Sequence, residues 1–410
     1  MIRAGPDPPG DGGHGPGADL HGVVGAGCTD GQEAPTGTAR TVLRPPHHRA
    51  AWPSAARGRF GVRVLSGSRN ELEPFARSWS VRRMRARATA YRIPESTIEE
   101  AVIAMKAVAL TTFGGPEVLT LSDVAAPQAG PGQVRVRVRV AGVQHFDARI
   151  RRGWTPPYLG AVEPPVVPGN EFAGVVDQVG EGVTGLEVGA EVLGFTTLGC
   201  YAEYVVAPAA QVVRKPAGMP WQIAGGFSGN GQGAHMALRE LGVGPGDTVL
   251  IHAAAGALGT FSVQLAKAWG ATTVIGTASE ENHAYLRSIG AVPVTYGDGL
   301  VERVRALAPQ GVDAAMDNAG PDALRASVEL VKDRHRIRTM VSDEAAQELG
   351  VPPLTPARSA TRLQELADLY AQGQIELHIR AAHPLERAAD AHRALETGHG
   401  RGKIVLTVAD

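Results

Sequence analysis

Residues 247–290 read DTVLIHAAAGALGTFSVQLAKAWGATTVIGTASEENHAYLRSIG, and this stretch decides how the chain folds. It begins with the apolar, β-branched run 248–252, which a Gly-Pro-Gly-Asp turn signal separates from the preceding sequence. An Ala/Gly turn follows, then an amphipathic run to Trp269 and a second apolar run at 273–277. This order predicts a strand, a turn, a helix and a second strand.

The turn AAAGALG at 253–259 predicts a dinucleotide-binding site. Gly256 would let the backbone approach a pyrophosphate, and Gly259 would let the helix pack closely on the strand. The helix N-terminus would supply N–H donors and positive potential. Ala254 replaces the first glycine of the usual fingerprint, so a purely structural turn is the alternative. The residues that we assign to cofactor binding here are Ala254, Ala255, Gly256, Ala257, Leu258 and Gly259.

The composition is that of a globular protein of about two domains. The 410 residues are 43% apolar and carry a formal net charge of −1, which gives no global attraction to nucleic acid or anionic membranes. Two cysteines are too few for a disulfide framework or a cysteine-rich zinc lobe. No apolar run reaches about 18 residues, and no signal-peptide pattern follows Met1. We expect a cytoplasmic protein without nucleic-acid or membrane partners.

Residues 1–104 differ from the rest of the chain. They are rich in Gly, Pro, Ala and Arg and contain no lysine, the first of which is Lys106. The basic patch at 82–87 could contact nucleic acid or lipid headgroups, but a solvated, disordered arm is the preferred interpretation. We therefore predict a disordered or non-native extension at 1–104 and a fold that begins at Met105.

The sequence between Met105 and the glycine turn is typical of antiparallel strands joined by Gly/Pro turns. The segment 133–141, QVRVRVRVA, alternates strictly, which predicts one buried and one solvated sheet face. RNA binding by its arginines is the alternative. With further strands predicted at 106–110, 119–123 and 192–196, this part should form a compact barrel-like domain.

Four ordered motifs resemble the medium-chain dehydrogenase/reductase superfamily. They are MKAVALTTFGGPEVL at 105–119, GVQHFDARIRRG at 142–153, PGNEFAGVVDQVGEGV at 168–183 and AAAGALG at 253–259. The resemblance extends to GRGKIVL at 400–406 and is strongest to the zinc-independent NADPH:quinone oxidoreductase branch, which includes zeta-crystallin. It implies an α/β fold with a Rossmann-type doubly wound parallel sheet domain plus a GroES-like β-barrel catalytic domain. The implied parts are a catalytic domain at 105–227, an NADP-binding domain at 228–352 and a return to the catalytic domain at 353–410.

The zinc enzymes of this family hold their metal with a cysteine and with the histidine of a Gly-His-Glu motif. The matching positions here are Gln144 or His145, and Asn170. Because an amide is a poor zinc ligand, we expect no metal site. Glu171 would then hold a loop or a backbone N–H.

The same resemblance places three residues on the acceptor side of the cleft between the domains. Gln144 can donate a hydrogen bond to a carbonyl oxygen, and His145 can supply a proton or serve only as a structural residue. We assign Asp147 to holding this loop in shape.

On the cofactor side, NAD-preferring sites usually carry an acidic residue after the second strand, where this chain has Ala278. A small residue leaves room for a 2′-phosphate, so we expect NADPH. The resemblance implies Ser279 and Tyr296 as phosphate contacts, with simple packing as the alternative for Tyr296. The expected preference is modest because Glu280 and Glu281 lie nearby. The remaining expected cofactor contacts are Thr277, Asn318 and Lys403.

Together these inferences predict an NADPH-dependent reductase, a homodimer, that transfers a hydride to a small electrophilic acceptor. The acceptor would be a quinone or the C=C bond of an enone or enoyl compound. The alternative is an NADPH-binding protein with a structural or regulatory role and little turnover.

Overall fold

The structure is a computed structural model that describes residues 104–156, 158–398 and 400–409. The first strand begins at Ala104, one residue before the predicted start of the fold. The rest of the predicted extension, with its basic patch at 82–87, lies outside the described residues. Within the described part, no helix is long and apolar enough to cross a membrane.

Strands predominate up to Arg214 in the described chain, and strands and helices alternate from Thr248 to Thr339. The strands are β1 (Ala104–Ala109), β2 (Thr120–Ala125), β3 (Gln133–Val143), β4 (Glu171–Val179), β5 (Glu191–Phe195), β6 (Tyr204–Pro208), β7 (Val212–Arg214), β8 (Thr248–Ile251), β9 (Thr273–Thr277), β10 (Val292–Val294), β11 (Ala314–Asp317), β12 (Ile337–Thr339), β13 (Ile379–Pro384) and β14 (Lys403–Thr407). The helices are α1 (His145–Arg151), α2 (Trp221–Gly225), α3 (Ser228–Glu240), α4 (Ala257–Ala268), α5 (His283–Ser288), α6 (Leu300–Leu307), α7 (Pro321–Leu330), α8 (Asp343–Glu348), α9 (Ala360–Ala371) and α10 (Ala388–Glu396).

The first large sheet is built around β3. Its strand order is β13-β14-β3-β4-β5-β7, and β6 also pairs with β3. The alternating valines of β3 are buried and Arg137 is exposed, as the alternation predicts. The predicted solvated face is wrong at Arg135, which is only 7% exposed. Its guanidinium is buried because Asp177 accepts its Nη2 hydrogen bond at 2.7 Å and Pro127 O accepts one from Nη1 at 3.0 Å.

The second sheet is parallel, with the order β10-β9-β8-β11-β12. Both of its faces are covered: Val249 and Ile251 pack with α3 and α4, whereas Leu250 packs with α6 and α7. This is why β8 is a continuous apolar run rather than an alternating one. The strand order reverses between β8 and β11, so the switch point where ligands bind lies at their carboxyl ends. The α/β fold class with a Rossmann-type sheet is confirmed.

The C-terminal segment returns to the first sheet, where β14 pairs antiparallel with β3 and parallel with β13. The first strand of this segment, β13, begins only at Ile379. The reason is that the Gln264 side chain on α4 binds both the N–H and the C=O of Glu376, at 2.9 Å each. These bonds replace a strand ladder, and they dock the segment on the nucleotide half of the molecule.

Candidate active site

The glycine turn at 253–259 leaves β8 at its carboxyl end and leads directly into α4. Ala253 adopts a left-handed conformation with φ of +49°. Thr277 holds the turn from below, since its O and Oγ1 accept hydrogen bonds from Ala254 N at 2.9 Å and Ala253 N at 3.0 Å. Thr277 and Ala254 are buried, so their side chains shape the turn.

The two glycines of this turn have different roles. A Cβ on Gly259 would lie 2.4 Å from Ala253 O and 2.5 Å from Ala254 Cα, so only glycine fits there. A Cβ on Gly256 would meet only Ala253 O, at 3.5 Å, so there is open space where a side chain would extend from Gly256. Gly256 is also the N-cap of the twelve-residue helix α4, whose first N–H groups have no side-chain cap. This open helix N-terminus fits a pyrophosphate.

Asn318 lies at the other side of the switch point, just after β11. Its Nδ2 donates to His252 O at 3.1 Å, while its Oδ1 is buried and has no partner among the described residues. Asp317 fixes the turn, because its Oδ1 accepts from Ala319 N at 2.8 Å and Gly320 N at 2.9 Å. An unpaired buried carbonyl costs about 1–3 kcal/mol, which an amide N–H such as that of a nicotinamide carboxamide would offset. The site therefore fits a nicotinamide dinucleotide at both ends of the switch point.

The expected phosphate contacts lie on adjoining strand ends. Thr277 pairs with Val294, so Ser279 and Tyr296 each follow their strand by two residues at the same level. Tyr296 is 55% exposed and free to contact a ligand. The Ser279 hydroxyl, however, donates to Glu281 at 3.1 Å and accepts from Asn282 at 3.0 Å.

A cation that the sequence analysis missed lies beside Tyr296. The Arg303 guanidinium donates to the carbonyls of Asp298 at 2.7 Å and Thr295 at 2.9 Å, and to Tyr296 O at 3.4 Å. No carboxylate of the described residues pairs with it. In the sequence it is one of several arginines on an amphipathic helix, and only the fold shows that it lies beside Tyr296.

Gln144 is the N-cap of α1, and its side chain is held by two neighbours. Its Nε2 donates to Asn170 Oδ1 at 2.8 Å and to Glu171 Oε1 at 2.8 Å. Both amide hydrogens are thus engaged, so donation to an acceptor carbonyl requires Gln144 to exchange one of these bonds. A Cβ at Gly229 of α3 would lie 1.8 Å from this Nε2, which explains the glycine there.

Lys403 is an expected cofactor contact, and in the structure its ammonium group is bound by protein groups. Its Nζ forms a fully buried ion pair with Glu171 Oε1 at 2.6 Å and donates to Asn230 Oδ1 at 2.9 Å. The other carboxylate oxygen of Glu171 accepts from Gly229 N at 2.6 Å. Sequence reasoning had anticipated a backbone partner for Glu171 but not the lysine. The ion pair is satisfied on both sides, which is the condition for burying two charges.

The cofactor turn and the acceptor-side residues meet through the C-terminal segment. Gly402 N donates to Ala255 O at 3.1 Å, and Gly402 pairs with Gly256 as an isolated bridge. The next residue, Lys403, binds Glu171, which in turn accepts from Gln144. The chain therefore brings the two predicted halves of the site into direct connection.

Asp147 lies beneath this site and is fully buried. Its Oδ2 accepts from Gln144 N at 2.9 Å and from the Tyr201 hydroxyl at 3.1 Å, while its Oδ1 has no partner. Burial raises the pKa of this carboxyl to about 7, against the opposing effect of Lys403. His145 is exposed above it, and the surrounding protein together with Lys403 lowers the pKa of its imidazole. At neutral pH His145 is therefore an uncharged ring with one N–H donor.

The residues at the zinc position do not fit a catalytic zinc. Gln144 and Asn170 bind each other there through their amides, whereas zinc requires thiolate, imidazole or carboxylate ligands. Cys200 is buried, and burial raises the pKa of its thiol to about 12. Of the residues described, no three His, Cys, Asp or Glu are grouped to hold a metal ion.

Comparison with known proteins gives matches over both halves of the chain. The family model described as alcohol dehydrogenase GroES-like domain matches residues 130–217, and the model described as zinc-binding dehydrogenase matches residues 289–406. A 2-haloacrylate reductase of a Burkholderia species is 33% identical over 321 residues, which cover 72% of this chain and 96% of the relative. A synaptic vesicle membrane protein VAT-1 homolog of Danio rerio is 30% identical over 351 residues, 76% of this chain and 72% of the relative.

Solved structures agree with these matches. The quinone oxidoreductase of Coxiella burnetii has a TM-score of 0.67 and 30% identity, covering 75% of this chain and 100% of that one. A mycobacterial protein complexed with NADPH has a TM-score of 0.66 and 30% identity, covering 74% and 99%. An NAD-dependent alcohol dehydrogenase has a TM-score of 0.68 and 30% identity, covering 74% and 100%. With the glycine turn and the Asn318 position described above, these likenesses show that the chain is a nicotinamide-dependent oxidoreductase of the medium-chain dehydrogenase/reductase superfamily.

Proposed function

We propose that the chain is an NADPH-dependent reductase that transfers a hydride to a quinone or to the activated C=C bond of an enone or enoyl compound. The observation that carries this proposal is the amide pair Gln144–Asn170 at the zinc position. Hydrogen-bond donors polarise a carbonyl less than a metal ion does, so they suit an acceptor that spreads the incoming charge over a conjugated system. The names of the Burkholderia and Coxiella relatives, a haloacrylate reductase and a quinone oxidoreductase, support the same class of acceptor.

The chain supplies binding and orientation. When bound, NADPH supplies the hydride. The N–H groups at the start of α4 would hold its pyrophosphate, and Asn318 Oδ1 would accept from its carboxamide. Gln144 would turn one N–H from Asn170 to the acceptor oxygen, while the Lys403–Glu171 pair keeps the other N–H in place. His145, exposed next to Gln144, would relay a proton from water: its uncharged ring gives up the N–H proton while the other ring nitrogen accepts one from a water molecule.

The preference for NADPH over NADH rests on three residues. Ala278 places no carboxylate at the ribose, Tyr296 is exposed beside it, and Arg303 adds a positive charge. Glu281 works against these residues because its carboxylate binds the Ser279 hydroxyl. The preference should therefore be modest, on the order of tenfold.

A homodimer is part of the proposal. The parallel sheet ends at β12, whose outer edge has no strand partner among the described residues. A second copy can extend such an edge. Light scattering after gel filtration measures this, and a monomer at micromolar concentration would refute it.

The test of function is steady-state NADPH oxidation with a panel of quinones, enones and enoyl thioesters. We expect turnover with at least one class and negligible NADP⁺ reduction with ethanol or secondary alcohols. Gln144→Ala should lower kcat by roughly 10-fold to 10³-fold while the NADPH dissociation constant stays unchanged. Tight NADPH binding without turnover of any acceptor would instead favour a structural or regulatory protein.

A further inference from the structure

Arg358 is a charged residue beside the acceptor-side amides that the proposed mechanism does not use. It precedes α9, and its guanidinium donates to Asn170 O at 3.2 Å and to Thr196 O at 2.8 Å. The guanidinium carbon lies 4.8 Å from the centre of the Phe195 ring. Asn170 is the residue whose side chain binds Gln144, so the guanidinium adjoins the acceptor end of the site.

The Arg358 backbone is firmly anchored. Ser359 N donates to Gln232 Oε1 at 2.8 Å, and Gln232 is fully buried in α3. The Ser359 hydroxyl caps α9 by accepting from Arg362 N at 3.2 Å. The side chain therefore starts from a fixed point, and the Phe195 ring fixes the plane of its guanidinium.

Arg358 has hydrogen-bonding capacity that the described residues do not use. A guanidinium carries five N–H groups, and only two bonds from this one are made. Three other buried or partly buried arginines do pair with a carboxylate: Arg135 with Asp177, Arg151 with Glu396 and Arg338 with Glu240. Arg358 has no such partner within the described parts of the chain.

The charges around Arg358 do not balance it. Lys403 and Glu171 neutralise each other, and burial raises the pKa of the nearby Asp147 to about 7, so this carboxyl is mostly uncharged below pH 7. One positive charge thus remains without a counter-ion at a partly buried position. Such a charge is unfavourable unless an anion joins it.

We propose that Arg358 is the anion subsite of the acceptor pocket and binds the carboxylate of an α,β-unsaturated acid. The planar fork of an arginine matches the two oxygens of a carboxylate, and this inference rests on the proposed function. In the reduction, a hydride adds to one carbon of the C=C bond and a proton to the other, while NADPH becomes NADP⁺. The carboxylate keeps its charge throughout, so Arg358 binds the acid without exchanging a proton.

The experiment compares trans-3-benzoylacrylate with its methyl ester. Both carry a ketone-activated C=C bond; the acid has an anionic carboxylate where the ester has a neutral and more electron-withdrawing group, so the effect of a variant is compared between the two substrates. Wild-type kcat/KM should favour the acid at least tenfold. Arg358→Met, which keeps an unbranched stem but removes the guanidinium, should lower kcat/KM for the acid roughly 10-fold to 100-fold. The value for the ester and the NADPH dissociation constant should stay within about twofold.

Two control variants sharpen the comparison. Arg358→Lys keeps the charge and should retain part of the preference for the acid. Arg239→Met removes an arginine that also stacks on an aromatic ring, Trp269, but already pairs with Glu365. This variant should leave kcat/KM for the acid and for the ester unchanged. Equal losses for acid and ester in Arg358→Met would overturn the proposal, because they would show only support of the Asn170 and Thr196 carbonyls. Weaker NADPH binding would identify a cofactor phosphate contact and overturn it as well.

Failure of the proposed function gives a different result. If wild-type protein reduces neither compound, calorimetric titration of the acid and the ester into the NADP⁺ complex still tests the subsite. Binding of the acid alone, lost in Arg358→Met, would keep the subsite and reject the reductase. If Arg358→Met does not fold, the subsite can be tested in the wild-type protein by comparing how strongly 3-benzoylpropionate and its amide inhibit ester reduction. At least tenfold stronger inhibition by the acid is expected, and equal inhibition would overturn the subsite.

Discussion

Replacing Asp147 with asparagine tests how much a buried carboxyl weakens the fold at neutral pH. Asp147 is fully buried, and one of its oxygens has no hydrogen-bond partner. Burial raises its pKa from 3.8 to about 7, which corresponds to about 4 kcal/mol of free energy of unfolding. The folded state binds this proton more tightly than the unfolded state does. The stabilisation is therefore complete below about pH 4 and is lost as the pH rises to about 7.

Asp147→Asn removes this pH dependence and keeps the shape. Its amide oxygen can accept from Gln144 N and Tyr201 Oη as Asp147 Oδ2 does. Of the total of about 4 kcal/mol, about 2.5 kcal/mol should be lost between pH 5 and pH 8 in wild type only. Urea unfolding of both proteins at the two pH values measures this loss. The contributions of all other titrating groups cancel in the difference between the two free energies of unfolding.

The control is Asp123→Asn, which removes an exposed carboxylate that pairs with Lys106. Its difference from wild type should stay nearly constant with pH, since exposed ion pairs contribute little. If the difference between Asp147→Asn and wild type is also the same at pH 5 and pH 8, the argument from burial is refuted.

Three further predictions concern the cofactor and the metal. Gly256→Val should weaken NADPH binding more than tenfold with little change in Tm, because its φ of −69° and the open space beside it suit a side chain that blocks the pyrophosphate; Gly259→Val should instead lower Tm, and the reverse pattern would contradict the assigned roles. Ser279→Asp should weaken NADPH binding at least tenfold and leave NADH binding nearly unchanged, because only NADPH carries a 2′-phosphate for the new carboxylate to repel. Position 279 is chosen because Ser279 is partly exposed, whereas a carboxylate at position 278 would be buried. Equal effects on both dissociation constants would count against a 2′-phosphate at this place. Elemental analysis should find no stoichiometric zinc and EDTA should leave turnover unchanged; activity lost to EDTA and restored by zinc would show that the amide pair does not describe the working site.

Local sequence patterns were sufficient for the nucleotide-binding half of the fold. The apolar runs of β8 and β9 and the amphipathic run of α4 depend on residues within a few positions of each other, so periodicity alone predicts them. The glycine turn is equally local, because Gly259 is excluded from carrying a side chain by Ala253 and Ala254. The order of these elements, with the resemblance of the motifs, was enough to predict the fold class.

The three-dimensional fold alone decided which charges are buried and what they bind. Arg135 belongs to a strictly alternating strand, yet it is buried because Asp177 lies on the neighbouring strand. Lys403 and Glu171 are far apart in the chain, as are Arg358 and Thr196, which are separated by 162 residues. No local pattern predicts such pairs. Whether a charge is buried, and whether it has a partner there, depends on which distant strands and loops the fold brings together.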